Sequence, residues 1–195
     1  MNKKSFLLLS AAGLLTAGLL TSCASNNTIT PDASGTALTE SSSSETLGSF
    51  TTTDIYDNPV TEAIFADHDL TMVNIFATWC TPCIQEMPAL AELAKEYEGS
   101  NFQIIGLILD VNENGIVSAK KLETAKELAE LTGVEYPIIL PDMTLRHGLL
   151  ANVYSIPETF FVDGTGTIVS ERYVGSRQKN AWQKIIKKEL SELEN

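Results

Sequence analysis

Basic residues are scarce in this chain. Thirteen Lys and Arg stand against 25 Asp and Glu, giving a formal net charge of −12 and a pI near 4.5. Phosphate affinity comes from clustered Lys and Arg, so this balance argues against nucleic-acid binding. No long run of like charge occurs, and the acidity reads as a solvated surface. Histidine is scarcer still, with only His68 and His147. No internal repeat is visible. Cysteine numbers three, too few for a small disulfide-stapled scaffold and an awkward odd count for an exported protein. The longest apolar run, residues 6–20, is interrupted by Ser10, Gly13 and Thr16 and falls short of the ~20 residues a spanning helix needs.

That run nevertheless has a purpose. Lys3 and Lys4 precede it as a basic leader, which is the layout of a secretory signal. The following Leu20-Thr21-Ser22-Cys23 resembles the lipobox of bacterial lipoproteins, which implies lipidation of Cys23 and removal of residues 1–22. Two acyl chains suffice for stable anchoring, so the expected location is the extracytoplasmic face of a cell membrane. An ordinary signal peptide, or an uncleaved anchor with Cys23 incidental, is the plainer alternative. Residues 23–48 are rich in Ser, Thr, Ala and Asn, with Ser41 to Ser44 in a row. They hold too few large apolar side chains to offset their ordering entropy and read as a tether. Residues 49–195 read as one folded domain.

Within that domain strand and helix signals alternate. Residues 72–76 form a short, mostly apolar run with β-branched and aromatic members, the pattern of a buried strand. Met87, Leu90, Ala91, Leu93, Ala94 and Tyr97 recur at helical spacing, closed by Gly99. Residues 103–109 predict a second buried strand; Leu122, Ala125, Leu128, Ala129 and Thr132 predict a helix ended by Gly133. A short strand is predicted at 136–140, between Pro137 and Pro141. Asp163-Gly164 predicts a hairpin between strands 159–162 and 167–174. Trp182, Ile185, Ile186, Leu190 and Leu193 make one face of a terminal helix. The order implies an α/β sandwich around a mixed central sheet.

Cys80-Thr81-Pro82-Cys83 falls where the first buried strand ends and a helix begins. A bridge across so short a loop restrains little of the unfolded chain, so the pair is there for chemistry. Free amides and the helix dipole at that end favour negative charge, and lower the leading thiol of such pairs from about 8.5 to roughly 3.5–7. Pro82 suits the first turn, where no amide donor is needed. Cys80, at the exposed end, is expected to attack a disulfide as thiolate, and Cys83 to resolve the mixed disulfide. A zinc half-site is the competing reading, but zinc wants four ligands and neither His68 nor His147 has finger-like spacing. No metal or other cofactor is expected beyond the Cys80–Cys83 pair.

Residues 73–88, including Trp79-Cys80-Thr81-Pro82-Cys83 and Glu86-Met87-Pro88, resemble the active site of thioredoxin-like proteins of the TlpA/ResA group. The resemblance covers roughly residues 48–193. It implies a thioredoxin fold with a helix-plus-strand insert at about 112–141, and a membrane-tethered thiol–disulfide oxidoreductase. Ser155-Ile156-Pro157-Glu158-Thr159 matches the group's cis-proline loop, which implies that Pro157 faces the cysteines and that the Ile156 backbone pairs with an extended substrate. Trp79, Thr81, Pro82 and Thr159 are the further substrate contacts expected. Asn74 stands where minimal thioredoxins carry a buried Asp. Glu86 matches an active-site glutamate of the group and becomes the candidate proton carrier for Cys83, the plainer reading being a solvated helix residue. Pro88 lies inside the helix, where a kink is expected.

A peroxiredoxin would need Thr three residues before the reactive Cys, where this chain has Ala77. A copper-delivery protein would favour CxxxC with a distal His, for which only His147 is at hand. Reductase and oxidase share all these residues. The resemblance to the TlpA/ResA group implies a reductase of exported protein disulfides, with apocytochrome c or methionine sulfoxide reductase as client and a membrane electron donor of CcdA/DsbD type. A monomer is expected.

Overall fold

The computed structural model describes residues 45–193; the signal segment, Cys23 and nearly all of the tether lie outside them. A short hairpin comes first, β1 (Thr51–Thr53) against β2 (Pro59–Thr61), followed by a 3-10 turn at Glu62–Phe65. Asp54 closes the hairpin turn, its Oδ1 accepting the N–H groups of Tyr56 at 2.8 Å and Asn58 at 3.0 Å. Then come β3 (Leu70–Phe76), α1 (Thr81–Glu96) and β4 (Phe102–Ile108). A second hairpin, β5 (Asn112–Glu113) and β6 (Ile116–Val117), leads into α2 (Ala119–Thr132), β7 (Ile138–Ile139) and α3 (Met143–His147). The chain ends with β8 (Glu158–Asp163), β9 (Tyr173–Val174) and α4 (Lys179–Leu193).

The main sheet has the order β7-β4-β3-β8-β9. β3 runs parallel to β4 and antiparallel to β8, so the sheet is mixed. This is a thioredoxin fold, with the stretch from β5 to β7 inserted after β4. Alternation along β3 explains its position at the centre. Leu70, Met72 and Phe76 face α1, α2 and α4, where Leu90, Leu93, Ala129, Trp182 and Ile186 complete one core. Val73 and Ile75 point the other way, against Phe50, Phe65, Leu145, Leu149 and Phe160. A strand buried on both faces needs an almost continuous apolar run, and β3 departs from one at Thr71 and Asn74.

Several boundaries differ from the sequence expectation. Leu47 is buried and Thr46 bridges Thr167, so packing begins before residue 49. The strand expected at 136–140 shrinks to two residues, because Pro137 and Pro141 have no N–H to give a ladder. The return strand expected at 167–174 is a continuous strand only at Tyr173–Val174, and Ile168 adds an isolated bridge to Val162. The Ser170 hydroxyl oxygen takes the Phe161 N–H at 2.8 Å, replacing a ladder acceptor with a side chain. The Asp163 turn forms as expected, with Oδ1 accepting the N–H groups of Thr165 and Thr167. α1 runs unbroken through Pro88.

Candidate active site

β3 delivers the chain to a three-residue loop, Ala77-Thr78-Trp79, and Cys80 then caps α1. Its N–H returns to the Ala77 carbonyl at 3.0 Å, and its Sγ accepts the Cys83 N–H at 3.3 Å. Sulfur at the capping position therefore sits where the helix offers free amides and its positive dipole end. Pro82 lies in the first turn, where its missing N–H costs no hydrogen bond. The two cysteines form a disulfide, with Cα atoms 5.3 Å apart. Sequence reasoning placed Cys80 at an exposed end; the structure corrects this. Cys80 is 3% exposed and Cys83 fully buried, because the capping geometry folds Sγ inward over the helix end. What reaches solvent is the rim: Thr81, Pro82 and above all Trp79, at 70%.

The Ile156–Pro157 bond is cis. Register places Glu158 opposite Ile75, so Pro157 lies beside the end of β3 from which the cysteine loop springs. The Pro157 carbonyl is held by the Gly175 N–H at 2.8 Å. Ile156 is half-buried and packs against both cores. Thr159, expected to touch substrate, does not reach the surface. It is 1% exposed, and its hydroxyl oxygen accepts from Nδ2 of Asn74 at 2.9 Å, because its place in β8 turns the side chain toward α1.

Glu86 is likewise buried rather than solvated, one helical turn beyond Cys83. Oε1 accepts from Asn74 Nδ2 at 3.0 Å; Oε2 accepts from the Arg177 N–H at 2.9 Å and from Trp182 Nε1 at 3.2 Å. Burial pushes its carboxyl above the ordinary glutamate range, while the three donors and the Arg177 charge pull the other way without cancelling it. Arg177 stacks over the rings of Trp182 and Tyr173, at 5.0 and 5.3 Å. Sequence reasoning missed these partners. Trp182 was legible only as core, although a buried indole N–H always asks for an acceptor.

Neither histidine joins the site. His147 is exposed at the end of α3. His68 lines a cavity of about 340 Å³ with Lys95, Glu98 and Tyr136, beside the first residue of β4 and so at the other end of the sheet. The buried Nδ1 of His68 has no hydrogen-bond partner among the described residues. Among those residues no group of three His, Cys, Asp or Glu side chains is placed to hold a metal, and no helix is long and apolar enough to cross a membrane.

A helix-capping cysteine pair, a cis-proline loop beside it and a buried carboxyl beneath it define a thiol–disulfide oxidoreductase of thioredoxin fold. The chain is similar to known proteins of that class. The AhpC/TSA family model matches residues 44–171. The thiol:disulfide interchange protein DsbE of Haemophilus influenzae is 34% identical over 136 residues, covering 69% of this chain and 67% of the relative. The thioredoxin-like protein YneN of Bacillus subtilis is 33% identical over 111 residues, covering 55% and 58%. The crystal structure of a thioredoxin-family thiol:disulfide interchange protein from Chlorobium tepidum superposes with a TM-score of 0.61 at 27% identity, covering 75% of this chain and 96% of that one. The chain belongs to the AhpC/TSA family, as a TlpA/ResA/DsbE-like thiol–disulfide oxidoreductase. Several curated relatives are matched over less than two thirds of their length, for example YneN over 58%.

Proposed function

We propose that this protein is a membrane-anchored, extracytoplasmic reductase of disulfides in exported proteins. The observation that carries the reading is the Cys80 Sγ held 3.3 Å from the Cys83 N–H at the start of α1, with Glu86 buried a turn later. In the reduced protein the Cys80 thiolate attacks a client disulfide. A Cys80–client bond forms, and the client's other sulfur leaves as thiolate and takes up a proton. Cys83 then loses its proton toward Glu86 and attacks Cys80 Sγ. The client's second sulfur leaves as a thiol, and the Cys80–Cys83 disulfide closes. The client has gained two electrons and two protons, one proton from solvent and one from Cys83 by way of Glu86.

Trp79, Thr81, Pro82 and the Ile156 backbone form the surface that an extended client strand meets. Recharging falls to a membrane electron donor of CcdA/DsbD type, and the clients are apocytochrome c or methionine sulfoxide reductase. Lipid on Cys23 tethers the monomer to the membrane, and residues 23–48 give it reach.

The test is a redox titration of the full chain in detergent against glutathione and dithiothreitol buffers, following Cys80 and Cys83. A two-electron midpoint near about −270 mV or lower supports an electron-donating reductase. A midpoint near about −120 mV makes the protein an oxidase that inserts disulfides instead. No reversible transition would overturn the reading.

A further inference from the structure

Asp110 takes no part in the chemistry above, yet it is buried just past the end of β4. Both carboxylate oxygens are directed at one residue of the cysteine loop. Oδ1 accepts the Thr78 N–H at 3.0 Å, and Oδ2 accepts the Thr78 hydroxyl at 2.6 Å. Thr78 is the middle of the three residues between β3 and Cys80. Its surroundings are fixed as well. The Leu109 N–H donates to the Phe76 carbonyl at 2.9 Å, and Arg146 of α3 donates from Nη2 to the Leu109 carbonyl at 2.6 Å. The half-buried Arg146 charge faces both Asp110 and Glu113.

A carboxylate under cover costs several kcal/mol unless it is hydrogen-bonded and charge-compensated. Here both oxygens are hydrogen-bonded, the Arg146 charge acts on the carboxylate from nearby, and the bonds end on the segment that aims the reactive sulfur. Charge-assisted bonds are short and directional, so they restrict a loop more than neutral ones do. The restriction matters because the loop sets where Cys80 Sγ meets the Cys83 N–H, 3.3 Å away.

We propose that Asp110 is a positioning residue for the redox pair: by holding Thr78 from both its N–H and its hydroxyl, it keeps Cys80 Sγ on the Cys83 amide. The thiolate of the reduced protein thereby retains its stabilisation at the start of α1. The proposal rests on the thiol–disulfide reading above.

The test uses the full chain in detergent and two readouts. One is the pH profile of Cys80 alkylation by iodoacetamide, followed by mass spectrometry of its peptide; the other is the Cys80–Cys83 midpoint. Asp110→Ala removes both bonds. Asp110→Asn drops the charge but keeps an oxygen for the Thr78 N–H and an amide for its hydroxyl. Thr78→Val removes one bond. In Asp110→Ala we expect the Cys80 thiolate to be about tenfold less populated, which lowers the midpoint by about 30 mV. Asp110→Asn keeps both contacts as neutral bonds and, like Thr78→Val, moves part of the way.

Removal of a negative charge acting directly on Cys80 has the opposite sign. If Asp110→Ala and Asp110→Asn both raise the midpoint, positioning is overturned. It is overturned too if Asp110→Ala is less stable but keeps the parent profile and midpoint. Should Asp110→Ala fail to fold, a parent-like Thr78→Val decides against the proposal. A parent with no reversible transition would sink the function itself, and is recognised before any variant is made.

Discussion

The side-chain amide of Asn74 donates to Glu86 Oε1 at 3.0 Å and to the Thr159 hydroxyl oxygen at 2.9 Å. Both amide hydrogens are thereby used, one toward α1 and one toward the strand that follows the cis-proline. Asn74 cannot take a proton. Of these three side chains only Glu86 titrates, and it is the group proposed above to take the proton of Cys83.

Replacing Glu86 by Gln tests that role. Three donors converge on the carboxylate, so a Gln turns an NH₂ toward at least one of them and costs about 1–3 kcal/mol of stability. The chemical effect is separate. Attack by Cys80 is little changed, while resolution by Cys83 slows about a hundredfold, as expected for loss of a proton acceptor. Rapid acid quenching with mass spectrometry should then show the Cys80–client mixed disulfide accumulating. Parent-like resolution would leave Glu86 a purely structural group.

The same carboxyl gives stability a pH dependence. Its folded value is raised by burial, so the folded state holds the proton more tightly than the unfolded chain does. The contribution is complete below the ordinary glutamate range and is lost as pH rises through the raised value. Urea unfolding midpoints should therefore fall with rising pH across that window, and fall less in Glu86→Gln. Parallel curves for the two proteins would contradict the assignment.

Asn74→Asp places a second carboxyl where Asn74 now donates to Glu86. Two such groups at hydrogen-bonding distance cannot both ionise readily, so one shares its proton with the other. The variant should lose about 3 kcal/mol at neutral pH, the scale of an uncompensated buried charge, and recover much of it in acid. Urea titrations on either side of the carboxylate range decide this. Equal losses at both would mean that packing, not charge, is at fault.

Gly106 offers a packing test away from the chemistry. A Cβ there would lie 3.0 Å from Phe76 Cε1 and 3.4 Å from Ile138 Cγ1, both in the core on the α1 side of the sheet. Gly106→Ala should cost about 1–3 kcal/mol by overpacking, read as a lower thermal midpoint. Unchanged stability would show that Phe76 can move aside freely.

The parts of this molecule legible in the sequence are those encoded locally. The apolar run of β3, the Cys80-Thr81-Pro82-Cys83 junction and the Asp163 turn each announce themselves within a few residues. What escaped was carried by distant pairs. Glu86 meets the Arg177 N–H and Trp182 only after 91 and 96 residues, and Asn74 meets Thr159 after 85. Periodicity cannot report such partners. Thr159 illustrates the cost: its neighbour Pro157 marks the substrate loop, but strand alternation turns Thr159 inward. The hairpin of β1 and β2 was also invisible, since Thr-Thr-Thr and Pro-Val-Thr are too short and too polar to show a strand pattern.

Trp79 separates docking from redox chemistry. Its side chain is largely in water, so Trp79→Ala should change stability by no more than about 0.5 kcal/mol. The capping of α1 by Cys80 does not involve the indole, and the midpoint of the Cys80–Cys83 pair should therefore stay put. A protein disulfide, however, must lie across the rim to reach Cys80. An exposed aromatic there has the character of a binding hot spot, so kcat/KM toward a protein client should fall at least about thirtyfold, the equivalent of 2 kcal/mol. A small disulfide such as oxidised dithiothreitol needs no such contact and should react as before. If both substrates slow together, the indole acts on the sulfur chemistry and not on docking.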